Sequence, residues 1–160
     1  MMKKSLSLFT GFISIVLFIT SCTPIDVFEK NVTIPSSKWK HNFTPTITFE
    51  ISDTSTDYAI YTIIRHRDAY NYNNIWLNIA TKAPNDSVAH NQKLDIQLGS
   101  DDKGWFGTGL DDIWEYRKII TRGPYRFKQQ GTYTFSISQI MRENPLQNIL
   151  SVGIRVEKIK

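Results

Sequence analysis

The fold this sequence predicts is all-β, an antiparallel β-sandwich of the jelly-roll or Ig-like kind, and three observations predict it. Short runs alternate apolar and polar residues, as Ile47, Phe49 and Ile51 do against Thr46, Thr48 and Glu50. Clusters of Gly, Pro, Ser and Asp punctuate those runs as turns do. No long stretch repeats apolar residues at helical spacing, so the pattern offers no amphipathic helix of useful length. A closed barrel is the next architecture such a pattern fits.

The chain opens on a segment of another kind. Met1-Met2-Lys3-Lys4 is a cationic start, and Leu6 to Ile19 is an apolar core interrupted by Gly11 and Ser14. A spanning helix needs about 20 apolar residues to cross a hydrocarbon layer of roughly 30 Å. This core is shorter, so it reads as a secretory signal. It closes on Ile19-Thr20-Ser21-Cys22, a lipobox pattern. Small Ser21 precedes the cut, and Cys22, the single cysteine of the sequence, offers a thiol for a diacylglycerol group and then an amine for a further acyl chain. Each buried methylene contributes about 0.8 kcal/mol, so three chains make a stable anchor. The readings set aside are an ordinary secreted protein with an unused cysteine and an uncleaved N-terminal anchor. A lone cysteine has no partner for a disulfide.

The expected organisation is therefore a cleaved lipoprotein signal peptide over residues 1–21, a lipid-anchored tether over 22–42 and a β-sandwich domain over 43–160. Removing the signal leaves 139 residues, the length of one domain, and takes Lys3 and Lys4 with it, so the formal charge falls from +4 to +2. A near-neutral exported chain argues against a nucleic-acid partner.

Along the mature chain, Thr23 to Asn42 carries Pro24, Pro35 and isolated apolar residues, a linker that becomes an edge segment. Pro24 disfavours helix beside the lipid. Trp39 is either an interfacial anchor or the first core residue. Thr46 to Ile51 is a half-buried strand, and Ser52 to Asp57 is a polar turn. Tyr58 to His66 is apolar on both faces, which suits a central strand. Ile75, Leu77 and Ile79 point together in the next strand, as Leu94, Ile96 and Leu98 do in the one after. Gly99, Gly104, Gly107 and Gly109 break the middle into turns around Trp105 and Phe106. No helical pattern follows them, so they do not form a phosphate loop. Asp111 to Ile120 reads as a strand with Ile113 and Glu115 on one face and Trp114 and Tyr116 on the other. Tyr133, Phe135 and Ile137 alternate with Thr132, Thr134 and Ser136. Gln139 to Gln147 has room for one helical turn before Pro145 interrupts it. Val152, Ile154 and Val156 close the domain, making seven or eight strands.

Taken in order, Cys22, Val27-Phe28-Glu29, Ile34-Pro35, Trp39, the run Tyr58 to His66, Tyr70 to Leu77, Gly104-Trp105-Phe106-Gly107, Gly131 to Phe135 with Gln139-Ile140-Met141-Arg142, and Val152 to Val156 resemble the GldH-type gliding-motility lipoproteins. The likeness spans nearly the whole mature chain and rests on joint order behind a lipobox. It implies an outer-membrane lipoprotein required for surface motility and linked with adhesin export. Some relatives carry such proteins without gliding. No catalytic residue comes with the resemblance.

The residues themselves assemble no enzyme. His41, His66 and His90 lie in separate segments without a Cys partner, so no metal site is expected. No Gly-x-Ser-x-Gly turn supports a serine nucleophile. Asp101-Asp102 and Asp111-Asp112 offer oxygen ligands for calcium, but they lack the spacing of a calcium loop and read better as solvated turn acids. No cofactor is expected. A possible partner or glycan surface comprises Arg65, His66, Arg67, Tyr70, Tyr72 and Trp105, a basic and aromatic group suited to an acidic partner or to stacking on sugar rings. Trp76 and Trp114 are expected to fill the core or pin the loops, whereas Gly104 and Gly107 leave Trp105 either exposed or packed.

Two function classes follow. One is a non-catalytic accessory component of the envelope motility and adhesin-export machinery, with membrane attachment through Cys22 and other envelope proteins as partners. The other is a glycan-binding envelope lipoprotein. Thr23 carries no acidic retention signal and Asp26 is the single acid just past the cysteine, so the expected location is the periplasmic face of the outer membrane.

Overall fold

The computed structural model describes residues 27–159; the expected signal peptide, the expected lipidation at Cys22 and the start of the tether lie outside the described residues. The strands are β1 (Val27–Thr33), β2 (Lys38–Trp39), β3 (Thr46–Ile51), β4 (Tyr58–Arg67), β5 (Asn74–Lys82), β6 (His90–Gln97), β7 (Gly99–Ser100), β8 (Gly104–Trp105), β9 (Thr108–Leu110), β10 (Ile113–Ile119), β11 (Gly131–Gln139), β12 (Leu146–Gln147) and β13 (Ile149–Lys158). Two antiparallel sheets form the body. One has the order β1-β13-β4-β10-β9 and the other β3-β11-β5-β6, with two-stranded pairs β12-β2 and β7-β8 beside them. The sandwich expected from the alternation is thus the fold observed.

Side-chain alternation explains which face each strand buries. In β3 the pattern runs exposed, buried, exposed, buried, so Ile47, Phe49 and Ile51 enter the core while Thr46, Thr48 and Glu50 face water. Tyr133, Phe135 and Ile137 of β11 and Ile75, Leu77 and Ile79 of β5 do the same from neighbouring strands. From the facing sheet come Ile60 and Ile64 of β4 and Val152, Ile154 and Val156 of β13. Phe49 lies at the centre, its ring 5.2 to 6.1 Å from those of Phe28, Phe127, Tyr133 and Phe135. Offset and edge-on rings at these separations add roughly 0.5–1.5 kcal/mol per pair to the burial itself.

β4 is flanked on both sides, by β13 and β10, and its outward Ile63 is as inaccessible as its inward residues. The segment expected as a tether over 22–42 belongs to the folded body from Val27 onward. β1 pairs residue by residue with β13, from Val27 opposite Glu157 to Thr33 opposite Ser151. Trp39 is fully buried and its Nε1–H donates to the Phe43 carbonyl at 2.8 Å, so it is a core residue rather than an interfacial anchor.

Two local expectations are corrected. The helical turn expected within Gln139–Gln147 is not formed. The Gln139 side chain takes over the backbone groups instead, with its Nε2 donating to the Trp39 and Glu143 carbonyls and its Oε1 accepting from Met141 N. Trp76, expected to fill the core or pin a loop, does not enter the core and is 41% exposed. Its neighbours Ile75 and Leu77 point inward, so a period of two sends the indole outward.

Candidate functional site

The alternation of β4 divides the residues expected to share one surface. Tyr58, Ile60, Thr62, Ile64 and His66 are buried on the inner side, while Arg65 and Arg67 are exposed on the outer side. His66 has no accessible surface. Its Nδ1 lies 2.9 Å from the Arg67 carbonyl, an acceptor only, so Nδ1 carries the proton. Nε2 is buried without a hydrogen-bond partner among the described residues. Burial disfavours the imidazolium and lowers the His66 pKa below its usual value, against smaller opposing effects from the Arg67 carbonyl and Asp68.

Around His66 lies a ring cluster that closes one end of the core. Trp105 meets it edge-on with centroids 4.6 Å apart, and Tyr70 lies 5.6 Å away. Tyr70 is 4% exposed, and its hydroxyl donates to the Asn74 carbonyl. Burial pushes the Tyr70 phenol well above its ordinary range. The left-handed Gly104 (φ 66°) turns the β7–β8 pair so that Trp105 packs against the core, where its Nε1–H donates to Asp68 at 2.8 Å. His66 and Tyr70 therefore offer no contact surface, and the expected patch of Arg65, His66, Arg67, Tyr70, Tyr72 and Trp105 is not continuous. Tyr72, 38% exposed, lies on the other side of Tyr70, its ring 5.7 Å away.

Arg65 instead belongs to a charged ladder on the outer face of the five-stranded sheet. Arg65 pairs with Glu115 at 2.8 Å, Glu115 with Arg117 at 2.9 Å, Arg117 with Glu29 at 3.6 Å, Glu29 with Arg155 at 2.8 Å, and Arg155 with Glu157 at 2.7 Å. Three cations alternate with three anions across β10, β4, β13 and β1. Single pairs at this exposure contribute about 0–1 kcal/mol, and a shared network more than its isolated members. The hydrogen bond to Glu29 is the chief reason that the Arg155 pKa rises. Arg67 is likewise neutralised, by Asp112 at 2.6 Å. The basic character read from Arg65 and Arg67 is thus cancelled on the spot.

The ladder borders an open groove of about 990 Å³. Arg65, Glu115 and Arg117 line it from the sheet face, the β9–β10 hairpin from one side and the turn at Ser36–Ser37 from another. Leu110 in that hairpin is 77% exposed and Ile113 37%. Ser36, Ser37 and Asp111, which line this groove, all have φ of 53–54°, the left-handed region that costs a non-glycine residue about 1 kcal/mol or more. Gly107, at φ 92°, holds the hairpin against β10, where a Cβ would strike the Glu115 carbonyl. Ser151 Oγ, also in the lining, is buried with no hydrogen-bond partner among the described residues. None of this was legible beforehand, because the groove depends on a hairpin of three-residue strands and on backbone angles that composition does not report. Of the acids weighed for calcium, Asp102 accepts from Ser100 Oγ at 2.6 Å and Asp112 is held by Arg67. Among the described residues no three metal-ligating side chains converge.

Two antiparallel sheets with a polar groove on one of them define a small all-β sandwich domain. Comparison with known proteins gives the family. The chain belongs to the GldH lipoprotein family, whose profile matches residues 26–156. It is 27% identical over 164 residues to a gliding motility lipoprotein GldH homolog of Christiangramia forsetii, covering 98% of each chain. It is 28% identical over 152 residues to the gliding motility lipoprotein GldH of Flavobacterium johnsoniae, covering 91% of each. The chain is therefore a lipoprotein of the gliding-motility type, and no helix among the described residues is long and apolar enough to cross a membrane.

Proposed function

We propose that the chain is an outer-membrane lipoprotein, held by acyl chains on Cys22 after residues 1–21 are removed, and a non-catalytic accessory component of the gliding-motility and adhesin-export machinery. It faces the periplasm and meets other envelope proteins through the groove on the five-stranded sheet. Membership of the GldH family supports the motility role. The unacidic Thr23 supports the outer membrane, and the lone Asp26 supports the inward face.

The observation that carries the contact surface is the groove itself. An exposed leucine stands beside paired charges, and three non-glycine residues are held left-handed around them. An apolar side chain at the rim supplies area to bury, and alternating charges set register and select partners. Five peptide units separate Cys22 from Val27, so the anchor reaches at most about 18 Å from β1. The end of the sandwich that carries Val27, Lys158 and Tyr58 therefore faces the membrane. The groove, at the end carrying Thr33 and Arg67, faces away from it.

Co-purification from solubilised envelopes tests the reading. The wild-type chain is expected to retain envelope proteins of the motility machinery, and Leu110→Asp to lose them without loss of thermal stability. Cys22→Ser is expected to leave the membrane fraction and take up no labelled palmitate. Retention of the same proteins by Leu110→Asp would remove the groove from the account, and a membrane-bound Cys22→Ser would remove the anchor.

A further inference from the structure

The other sheet carries a second surface, of different chemistry. On the outer side of β5 stand Asn74, Trp76 and Asn78, with Asp95 of β6 opposite Trp76 and Ser138 of β11 opposite Asn78. Thr132, Thr134 and Ser136 continue this hydroxyl- and amide-rich face along β11, and Thr46 and Thr48 along β3. Within it Trp76 is 41% exposed, Tyr72 38% and Ile140 40%. These three, with Asn74, Met141 and Arg142, line a groove of about 440 Å³, inside the range of about 300–1,000 Å³ common for small-ligand sites.

The groove is built rather than incidental. Past the end of β11 the chain stays beside Trp76: Ile140 N–H donates to the Trp76 carbonyl at 2.9 Å, and Trp76 N–H to Met141 Sδ at 3.2 Å. Asn74 Nδ2 donates to Asp95 at 2.6 Å, which fixes the amide beside the indole. A hydrogen bond to Glu143 holds the Tyr72 hydroxyl and raises its pKa.

We infer that this groove is a binding site for a chain of acetamido sugars, the chemistry of a cell-wall glycan strand. A pyranose ring has a C–H face, which packs on an exposed indole or phenol, and equatorial hydroxyls, which pair with amides, carboxylates and guanidinium groups. Trp76 and Tyr72 supply the first, and Asn74, held by Asp95, and Arg142 the second. Ile140 and Met141 add an apolar wall beside the Asn74 amide, which suits the methyl and carbonyl of an acetamido group and gives a plain hydroxyl nothing. Aromatic rings set among Asn, Ser and Thr side chains offer stacking faces with hydrogen-bonding groups around them, the arrangement a sugar ring uses. The position selects the source of the sugar. β5 starts at the end of the sandwich away from Val27, so a domain tethered within about 18 Å of the membrane presents Trp76 outward from the bilayer, where the wall lies. This last step rests on the proposed anchoring and orientation; the binding chemistry does not.

Titration of the full-length chain in detergent micelles with the β-1,4-linked tetramers of N-acetylglucosamine and of glucose, together with sedimentation on purified wall sacculi, tests the inference. Binding is expected to the acetamido tetramer and to sacculi, with the glucose tetramer about tenfold weaker or more. Trp76→Ala is expected to weaken binding about tenfold or more, and Trp76→Tyr to retain most of it. Should Trp76→Ala lower the unfolding temperature, Tyr72→Ala and Ile140→Ser test the same groove. No binding to either acetamido ligand, equal binding of both tetramers, or full binding by all groove variants would each overturn it. So would a crosslink from position 76 to an envelope protein in place of glycan. Fractionation of the same cells reports anchoring separately, so a failed anchor and a failed sugar site are told apart.

Discussion

A buried imidazole with one bare nitrogen makes His66 a titration-sensitive point. Its folded pKa lies below the ordinary value of about 6.5, so the native state excludes a proton that the unfolded chain accepts. Its contribution is fully present above about pH 6.5 and is lost as pH falls through the folded pKa, with a slope of at most about 1.4 kcal/mol per pH unit. Thermal unfolding followed from pH 7.5 down to 5 is expected to show a falling midpoint, and His66→Leu a flatter profile. Equal slopes for the two chains would refute the assignment. Trp76 shows how much the sequence made legible at this scale. Reading Ile75, Leu77 and Ile79 as one inward row already sends Trp76 outward, and only the pull of a large aromatic ring toward a core or a loop obscured it. His66 was hidden for the opposite reason: the polar name of the residue outweighed its place in an alternating row with Ile60 and Ile64.

Among the elements, the β1–β13 seam depends on a missing side chain. Gly153 lies opposite Asn31, and a Cβ there would collide with the Asn31 amide and come within 2.7 Å of the Lys30 carbonyl. Gly153→Val is expected to pry β1 from β13, lower the unfolding midpoint and cost about 1–3 kcal/mol, with early hydrogen exchange confined to β1. A variant as stable as wild type would show that the seam yields without cost. The long strands were readable in the sequence because each has one wet face and one dry face, and β4 because both of its faces are apolar. β1 was harder to read as a strand: Val27-Phe28-Glu29-Lys30-Asn31-Val32 has no clean alternation, since an edge strand covered on one side tolerates polar residues at inward positions. The two-residue pairs β2, β7, β8 and β12 leave no periodicity at all.

At the scale of the whole molecule, the two candidate surfaces lie on opposite sheets but at the same end, remote from Val27. A domain anchored at the near end can hold a protein on one sheet and a sugar chain on the other without either crowding the bilayer. The sheet order has a further consequence. β1, the first strand described, has β13 as its sole neighbour among the described strands, and β13 is the last of these. During synthesis β1 therefore lacks this partner until β13 has emerged, and such pairings between distant parts of a chain form slowly. A chain stopped before Ile149 would strand β1 and bare one side of β4, and protease digestion of that product is expected to leave no resistant fragment. Closing the sandwich thus waits on β13, so a product shortened before it would betray itself by an open edge.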